Sequence, residues 1–378
     1  MFEKRVYLSS PTMYGEEQMY VKEAFDTNWV APLGKNVDEF ERSVEKYMGI
    51  KAAAALTAGT ASLHLSMKLA GIKRGDIVLC SDLTFAATVN PVSYEGGVQV
   101  FVESERETWN IDPKTLEVAL KKYDGNKYPK AKALVIAHLY GTPAKMDEIL
   151  KLCDKYNVIL IEDAAESLSA TYKGKQTGTF GKYNTISFNG NKIITTSGGG
   201  MLLSDDEEAV KKARFWATQA REPFPYYEHE ELGYNYRMSN IVAGIGRGQM
   251  LHLDDHRKQK EAIYNRYKEN LKDLPIEMNP YLKDTMPNFW LSCLTINEGE
   301  SVTPDDIRLA LQEENVESRP IWKPMHMQPL YKDNDFITLD DNVGEDIFKR
   351  GLCLPSDNKM DAKTQDIVCD IIRKVFKK

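Results

Sequence analysis

Short apolar runs alternate with segments of helical period across residues 52–205 of the chain. Runs of about four to eight apolar residues bounded by turn residues are typical of buried strands. Seven such runs occur, at 52–56, 77–81, 98–102, 133–138, 158–162, 185–188 and 200–203. Helical patterns lie between several of them, at 60–70, 85–94, 113–121 and 144–156. Because such alternation builds parallel sheets, we expect an α/β fold with a mostly parallel seven-stranded sheet covered on both faces.

The pattern changes in the last third of the chain. Residues 241–271 hold neither Pro nor a cluster of turn residues, which predicts one long helix. A second alternating region follows at 289–320, and a final helix is expected near 362–377. A single core rarely grows beyond about 250–300 residues, so a chain of this length predicts two domains. We expect a large domain at 1–245 and a small C-terminal α/β domain at 246–378.

Charge and cysteine usage narrow the class of protein. The formal net charge of −7 argues against nucleic acid or an anionic membrane as a partner. The first residues do not resemble a signal peptide, and every apolar run is far shorter than the ~20 residues that span a bilayer. Five scattered cysteines without a C-x-x-C pair favour buried thiols in a cytoplasmic protein. Neither a disulfide framework nor a metal site is predicted.

Two early strand ends carry residues that suggest chemistry, since function in parallel sheets lies at the carboxyl ends of strands. Residues 57–62 are small and lie between a strand and a helix. Backbone N–H groups there could bind a phosphate, and the alternative is a tight turn capped by a threonine. The next strand end is followed by Phe85, which could stack on a flat heteroaromatic ring. A core position is the more common role for such a phenylalanine.

Two later strand ends carry ionisable residues. Asp163 follows an apolar run, and a buried carboxylate there requires a cationic partner such as a pyridinium nitrogen. A helix N-cap or a metal ligand is the alternative role. Lys192 lies between a strand and the glycines at 198–200. A lysine in such a tight site can form an imine with an aldehyde cofactor and then act as an acid or base. An exposed surface position is the alternative for Lys192.

Together with four further motifs, these segments resemble the DegT/DnrJ/EryC1/StrS family of sugar aminotransferases. The motifs are NWVAPLG at 28–34, HLYGTP at 138–143, GYNYRM at 233–238 and ESRPIWKPMH at 317–326. The resemblance covers nearly the whole chain. It implies the fold type I architecture of pyridoxal-phosphate (PLP)-dependent transferases, which is the aspartate aminotransferase-like fold.

The resemblance implies roles for the residues around the cofactor ring. Lys192 would bond covalently to pyridoxal 5'-phosphate and move the proton between the substrate carbon and the cofactor. Asp163 would pair with the pyridine nitrogen, and Phe85 would stack on the ring. Glu166 would lie near the ring hydroxyl, where many relatives have Gln. Because Lys192 is present, the family's dehydratase variant, which carries His there, is disfavoured.

The resemblance also implies the residues that hold the cofactor phosphate. Gly59, Thr60 and Ser187 would bind it within one subunit. Asn235 would reach the phosphate of the neighbouring subunit's cofactor, which predicts a homodimer as the active unit. Arg237 would support the loop that carries Asn235.

The segments at 29–34, 217–221 and 319–326 look most like those of enzymes acting on UDP-4-keto-6-deoxy-N-acetylglucosamine. The implied reaction moves the amino group of L-glutamate to C4 of that nucleotide sugar, on the route to bacillosamine-type sugars for polysaccharide biosynthesis. The candidate pyrophosphate contacts are Arg221, Arg319, Lys323 and His326. Each of these side chains could instead form an ordinary surface ion pair.

Several alternatives stay open at this point. The acceptor could be GDP-4-keto-6-deoxymannose or a dTDP-ketosugar, and a non-catalytic PLP-binding regulator is a candidate from a different class. A nicotinamide-dependent oxidoreductase is disfavoured, because the nearest glycine-rich match, at 244–248, follows no strand.

Overall fold

The computed structural model describes residues 2–339 and 342–377. Their helices are α1 (Glu16–Asp26), α2 (Lys35–Met48), α3 (Gly59–Leu69), α4 (Asn90–Tyr94), α5 (Pro113–Lys122), α6 (Met146–Tyr156), α7 (Glu207–Ala217), α8 (Asn240–Met250), α9 (Leu253–Asn270), α10 (Pro304–Glu313), α11 (Val343–Arg350) and α12 (Ala362–Val375). Their strands are β1 (Ala52–Leu56), β2 (Ile77–Ser81), β3 (Val98–Val102), β4 (Ala131–Ala137), β5 (Ile159–Asp163), β6 (Thr171–Tyr172), β7 (Lys175–Gln176), β8 (Tyr183–Ser187), β9 (Gly200–Ser204), β10 (Ile276–Met278), β11 (Thr285–Met286), β12 (Ser292–Ile296), β13 (Arg319–Pro320), β14 (Phe336–Ile337) and β15 (Gly351–Leu354).

The central sheet has the strand order β1-β9-β8-β5-β4-β2-β3-β14. Seven of its strands, β1 to β5, β8 and β9, are those predicted from the apolar runs, with ends that differ by at most about two residues. The prediction of seven strands was nevertheless wrong by one, because β14 adds an eighth at the edge and pairs in parallel with β3. This strand is only two residues long, which is too short to give an alternating pattern in the sequence.

The direction of the strands brings the candidate residues to one edge of the sheet. All pairs from β14 to β8 are parallel, and β9 is antiparallel to both of its neighbours, β1 and β8. Strands β1, β2, β5 and β8 therefore end at the same edge. Their interior positions are almost fully buried, because helices cover both faces of the sheet.

The predicted long helix at 241–271 is in fact two helices. Helix α8 ends at Met250 and α9 begins at Leu253, with His252 between them in a non-helical conformation (φ −115°, ψ 5°). Helix α8 packs closely on α1 and α2. A Cβ at Gly246 would lie 2.5 Å from the ring of Phe40 on α2, so the close approach requires a glycine. The break itself falls at Leu251 and His252, in a stretch without Pro or a cluster of turn residues.

The C-terminal part of the chain forms its own sheet, with the strand order β10-β12-β15-β13. Helices α9, α10 and α12 cover it and share a hydrophobic core with its strands. The predicted domain boundary at residue 245 falls inside α8, and β14 joins the large sheet across that boundary. The division into 1–245 and 246–378 therefore stays a prediction.

Within the two described ranges, no helix combines the length and the apolar character needed to cross a bilayer. All five cysteines lie in these ranges and are buried as free thiols.

Candidate active site

A cavity of about 320 Å³ opens at the carboxyl edge of the central sheet. Its size lies at the lower end of the range typical of small-molecule sites, about 300–1,000 Å³. The ends of β1, β2, β5 and β8 supply most of its walls. Of the predicted cofactor-binding residues, those that line it are Gly59, Thr60, Phe85, Asp163, Glu166, Ser187 and Lys192.

Lys192 projects into this cavity from the loop between β8 and β9. The next two residues, Ile193 and Ile194, are buried in the core and anchor the loop. The Lys192 side chain is only 12% exposed, and its Nζ lies 3.9 Å from Glu166 Oε1. The same nitrogen lies 4.1 Å from the centre of the Trp290 ring. Burial lowers the pKa of Lys192, even though Glu166 and Asp163 act in the opposite direction. The amine is therefore easier to deprotonate than a surface lysine.

Asp163 is the last residue of β5 and is held in one orientation by two donors. Thr88 Oγ1 donates to its Oδ2 at 2.7 Å, and the backbone N–H of Ala165 donates to its Oδ1 at 3.0 Å. Because Thr88 donates to Asp163, the Thr84 hydroxyl must donate to Thr88 across their 2.7 Å contact. Burial raises the pKa of Asp163 despite these bonds. A cationic partner in the cavity would therefore stabilise the ionised carboxylate.

Glu166 lies on the turn that follows β5, beside the lysine. The backbone N–H of Tyr140 donates to its Oε2 at 2.7 Å, and Trp322 Nε1 donates to its Oε1 at 3.4 Å. Burial raises the pKa of Glu166, and the nearby Lys192 opposes this rise. The cavity thus contains an amine and two carboxyl groups, all with pKa values shifted towards neutrality, which is typical of catalytic sites.

A second part of the cavity is built from small residues. Helix α3 begins at Gly59, and no side chain caps the free N–H groups of its first turn. The hydroxyl of Ser187 borders them, since a Cβ on Gly59 would lie 3.5 Å from Ser187 Oγ. Gly200 packs so closely that its own Cβ would lie 2.3 Å from the Gly59 nitrogen. Free N–H groups at a helix N-terminus, a hydroxyl and the lack of bulk suit a phosphate group.

Aromatic side chains form the remaining walls. Phe85 is 53% exposed and lies 5.3 Å from Trp322 between ring centres. Tyr140 stacks on both Trp322 and Trp290. Sequence reasoning missed the two tryptophans as site residues, although Trp322 lies within the quoted motif at 317–326. It also missed Thr84, Thr88 and Tyr140, which hold the two carboxylates.

The four predicted substrate contacts, all in described parts of the chain, lie outside the lining of this cavity. Arg319 pairs with Glu317 at 2.9 Å and borders a separate surface groove. The guanidinium of Arg221 lies over the ring of Tyr227 at 4.2 Å.

His326 and Lys323 lie on the segment that also carries Trp322. His326 Nδ1 bonds to Asp82 Oδ2 at 2.7 Å, and its ring stacks on Phe336 at 3.9 Å. Burial lowers the pKa of His326, but the carboxylates of Asp82 and Glu103 together outweigh this effect, so the pKa is raised overall. Lys323 is half-buried beside Trp322. A role of these residues in substrate binding stays a prediction.

Asn235 also lies outside the cavity lining and is exposed on the loop before α8. This loop pairs with Thr218, and its Arg237 forms a bridge to Leu56 at the end of β1. The loop is therefore fixed to the strand that leads into the phosphate-binding turn, and Asn235, which itself forms the bridge to Thr218, is not part of this subunit's cavity lining.

The fold and the site together define a class of protein. A mostly parallel sheet, a buried lysine, a buried aspartate at a neighbouring strand end and a small-residue anion site match the architecture of fold type I PLP-dependent transferases. The model of the DegT/DnrJ/EryC1/StrS aminotransferase family matches residues 11–373, so the chain belongs to that family. Its members are PLP-dependent sugar aminotransferases, which confirms the class of enzyme and the cofactor expected from the sequence.

Similar proteins support this assignment. EpsN of Bacillus subtilis (strain 168), which carries the provisional name of a pyridoxal phosphate-dependent aminotransferase, is 50% identical over 99% of this chain and 96% of its own. GDP-perosamine synthase of Caulobacter vibrioides is 37% identical over 93% of each chain. A solved DegT/DnrJ/EryC1/StrS aminotransferase from Brucella abortus has a TM-score of 0.89 at 25% identity and covers 96% of both chains. The last match confirms the fold.

The residues of the cavity fit pyridoxal phosphate. Asp163, whose pKa is raised by burial, matches a protonated ring nitrogen, and the uncapped start of α3 beside Ser187 matches the phosphate. Lys192 provides an amine of lowered pKa in the same cavity. Charge and hydrogen-bonding capacity are thus complementary at both ends of the cofactor.

Proposed function

We propose that this enzyme transfers the amino group of L-glutamate to C4 of a nucleotide-linked 4-keto-6-deoxy sugar, with Lys192 as the proton carrier. The observation that carries the proposal is the buried Lys192 amine. It faces Glu166 at 3.9 Å and shares the cavity with Asp163. Because its pKa is lowered by burial, this amine gives up its proton more readily than an ordinary lysine and can then act as a base.

Each residue of the cavity has a defined part in this reaction. Pyridoxal phosphate, when bound, supplies an electron sink for the substrate carbon that loses its proton. Asp163, oriented by Thr88 and the Ala165 N–H, would hold the ring nitrogen in its protonated form. The start of α3 and Ser187 would bind the phosphate. Phe85 would cover one face of the ring and exclude water from it.

Lys192 would act in both half-reactions. In the first it would remove the α-proton of glutamate and return a proton on the cofactor side. The amino group would stay with the cofactor, and water would supply the keto oxygen of the 2-oxoglutarate that leaves. In the second it moves a proton to C4 of the sugar, which becomes the carbon that bears the new amine. Glu166 accepts N–H bonds from Tyr140 and Trp322 and faces Lys192, so it would steady the charge of the amine during both transfers.

The sugar is proposed as UDP-4-keto-6-deoxy-N-acetylglucosamine, which leads to bacillosamine-type sugars. The likeness of the segments at 29–34, 217–221 and 319–326 supports this choice. The name of the Caulobacter relative supports GDP-4-keto-6-deoxymannose as the second candidate. A cytoplasmic location fits both substrates and the five free thiols.

We propose further that the active unit is a homodimer in which Asn235 completes the neighbouring site. Large apolar side chains are exposed near this loop, including Tyr227 at 77% and Leu232 at 72%. Exposed apolar patches of this kind favour contact with another chain. A second copy of this chain offers the simplest partner. In such a dimer, the Asn235 of one subunit would reach the cavity of the other, although it does not line the cavity of its own subunit.

Visible absorbance tests the central claim. With cofactor added, we expect a band near roughly 410–420 nm that moves to roughly 330 nm with glutamate, as is general for lysine-bound PLP and its amine form. Lys192→Ala should lose both the band and the shift, whereas the exposed Lys182→Ala should keep both. Return of the band on adding the UDP or the GDP ketosugar identifies the acceptor. A band that never responds to glutamate would indicate a PLP-binding regulator.

Mixing two inactive variants tests the shared site. Lys192→Ala and Asn235→Ala subunits, refolded or co-expressed together, would form hybrid dimers. One site of each hybrid then carries both substitutions, and the other carries neither. We expect activity to return to a substantial fraction of that of the wild type. No recovery in a verified hybrid would mean that Asn235 acts within its own subunit or not at all.

A further inference from the structure

Helix α9 holds the peptide carbonyls on both sides of Lys192. His256 and Lys260 lie one turn apart on this helix and on the same face of it. His256 contacts the carbonyl of Ile193, directly after the lysine, and Lys260 reaches the carbonyl of Asn191, directly before it, through one hydroxyl. Neither residue lines the cavity.

His256 makes the first of these contacts. Its ring is 2% exposed, and its Nδ1 donates to Ile193 O at 2.6 Å. Because a carbonyl oxygen can only accept, Nδ1 carries a proton, and burial lowers the pKa of His256, which favours the neutral ring with this single proton. The other nitrogen, Nε2, then accepts from the hydroxyl of Tyr14 at 2.9 Å. Tyr14 thus fixes the tautomer that the bond to Ile193 requires.

Lys260 makes the second contact through Ser9. Its side chain is 1% exposed, and Nζ donates to Ser356 O at 2.7 Å and to Ser9 Oγ at 3.0 Å. Ser9 Oγ in turn donates to Asn191 O at 2.9 Å. Trp290 Nε1 donates to the same carbonyl at 2.6 Å, and its ring lies under the Lys192 amine.

A charged lysine at a buried position such as that of Lys260 destabilises the folded state. Burial lowers the pKa of Lys260 to about 7, and Asp357 offsets this only in part. His256 is the other titratable group close to it on α9. Both the ammonium and the neutral amine can donate the two bonds, so the contact survives titration. The long side chain of Lys260 lets one buried nitrogen donate to two acceptors, Ser356 O and Ser9 Oγ.

We propose that His256 and Lys260 are positioning residues for Lys192, which hold its flanking carbonyls and so fix where its amine lies relative to Glu166. The inference rests on the proposed role of Lys192. The buried Ile193 and Ile194 anchor the loop on the C-terminal side of Lys192. On the other side Asn191 is exposed, and the Lys192 N–H bonds within the loop itself, to Asn189 O at 3.0 Å. Displacements of about 1 Å at a reacting group cost up to about 100-fold in rate.

Substitutions at His256 separate a bonding role from a packing role. Asn carries an N–H donor at the position of Nδ1, while Leu fills space without donating. We expect His256→Leu to lower kcat about 10-fold with the KM for glutamate within about twofold. His256→Asn should retain most of the wild-type kcat. Ser9→Ala, which cuts the link from Lys260 to Asn191 without touching the core, should act like His256→Leu. Tyr264→Phe removes a buried α9 bond to Asn279 O and serves as the matched control.

Two readouts besides turnover report on the loop itself. Hydrogen exchange of the amides at 188–196 should rise about 10-fold in His256→Leu and Ser9→Ala but not in His256→Asn or Tyr264→Phe. The pH midpoint of the visible band should shift by about half a pH unit in the same two variants. Unchanged exchange and midpoint in His256→Leu and Ser9→Ala would overturn the inference, as would equal losses in the Asn and Leu variants.

Borohydride reduction of the wild-type holoenzyme, followed by peptide mapping, keeps the two claims apart. A label at Lys192 supports the proposed function independently of α9. If wild-type protein carries no label there, the proposed function fails, and the positioning claim fails with it. A label at Lys192 with unchanged loop exchange in His256→Leu and Ser9→Ala sinks the positioning claim alone.

Discussion

Replacing Lys260 by Met should change how the stability of the protein depends on pH. Burial holds the pKa of Lys260 at about 7, against an ordinary 10.5. Each pKa unit corresponds to about 1.36 kcal/mol, so the folded state loses about 5 kcal/mol at low pH by carrying this charge. The unfolded lysine binds a proton that the folded one lacks between about pH 7 and 10.5. Wild-type stability therefore rises with pH through this window, relative to a variant without the amine.

Integration over pH 7 to 9 gives a relative change of about 2 kcal/mol in the free energy of unfolding. Urea unfolding of wild type and Lys260→Met at pH 6, 7, 8 and 9, followed by tryptophan fluorescence, measures it. Lys258→Met removes an exposed lysine (66% exposed) from the same helix and should show a difference that does not vary with pH. If the difference in unfolding free energy between wild type and Lys260→Met also does not vary with pH, the reasoning is refuted, because Lys260 would then titrate in the folded protein as it does in the unfolded chain.

Two further predictions concern the walls and the support of the cavity. Gly200→Ala should abolish cofactor retention or destabilise the protein by about 2 kcal/mol or more, since its Cβ would lie 2.3 Å from the Gly59 nitrogen. Gly198→Ala, whose Cβ would have no neighbour closer than 3.9 Å, should bind cofactor normally, and equal losses would contradict the steric argument. His138→Leu removes the 2.7 Å partner of the fully buried Glu162 and should cost about 3–5 kcal/mol in urea unfolding. A loss below about 1 kcal/mol would show that the backbone donors to Glu162 suffice.

The large sheet could be predicted because its strands are buried on both faces and so appear as continuous apolar runs. The same logic located Asp163 and Lys192, since strand ends are where a parallel sheet exposes function. The two-residue β14 pairs with β3, which lies far earlier in the chain, and the break between α8 and α9 falls in a stretch without Pro. Neither leaves a periodic signal in the local sequence.

The predicted site was incomplete for a similar reason. Trp290 and Trp322 reach the cavity from far along the chain, and no local pattern says which aromatic residues will meet there. The resemblance to a family suggested His326 as a substrate contact, which stays a prediction, but did not reveal that its Nδ1 bonds to the buried Asp82. The sequence shows that residue 326 is a histidine, but it does not show which of the many carboxylates of the chain this histidine will contact.

The edge strand β14 also sets an order of events during synthesis. Strand β3 leaves the ribosome early, but the N–H groups of Phe101 and Glu103 find their acceptors only when residues 335–337 emerge. Trp322, which lines the cavity, also lies in this late part of the chain. A nascent chain therefore displays Lys192 long before the wall opposite it exists, and exposes an unpaired sheet edge that invites wrong pairing. The part of the cavity wall that Trp290 and Trp322 supply is thus complete only after most of the chain has been synthesised.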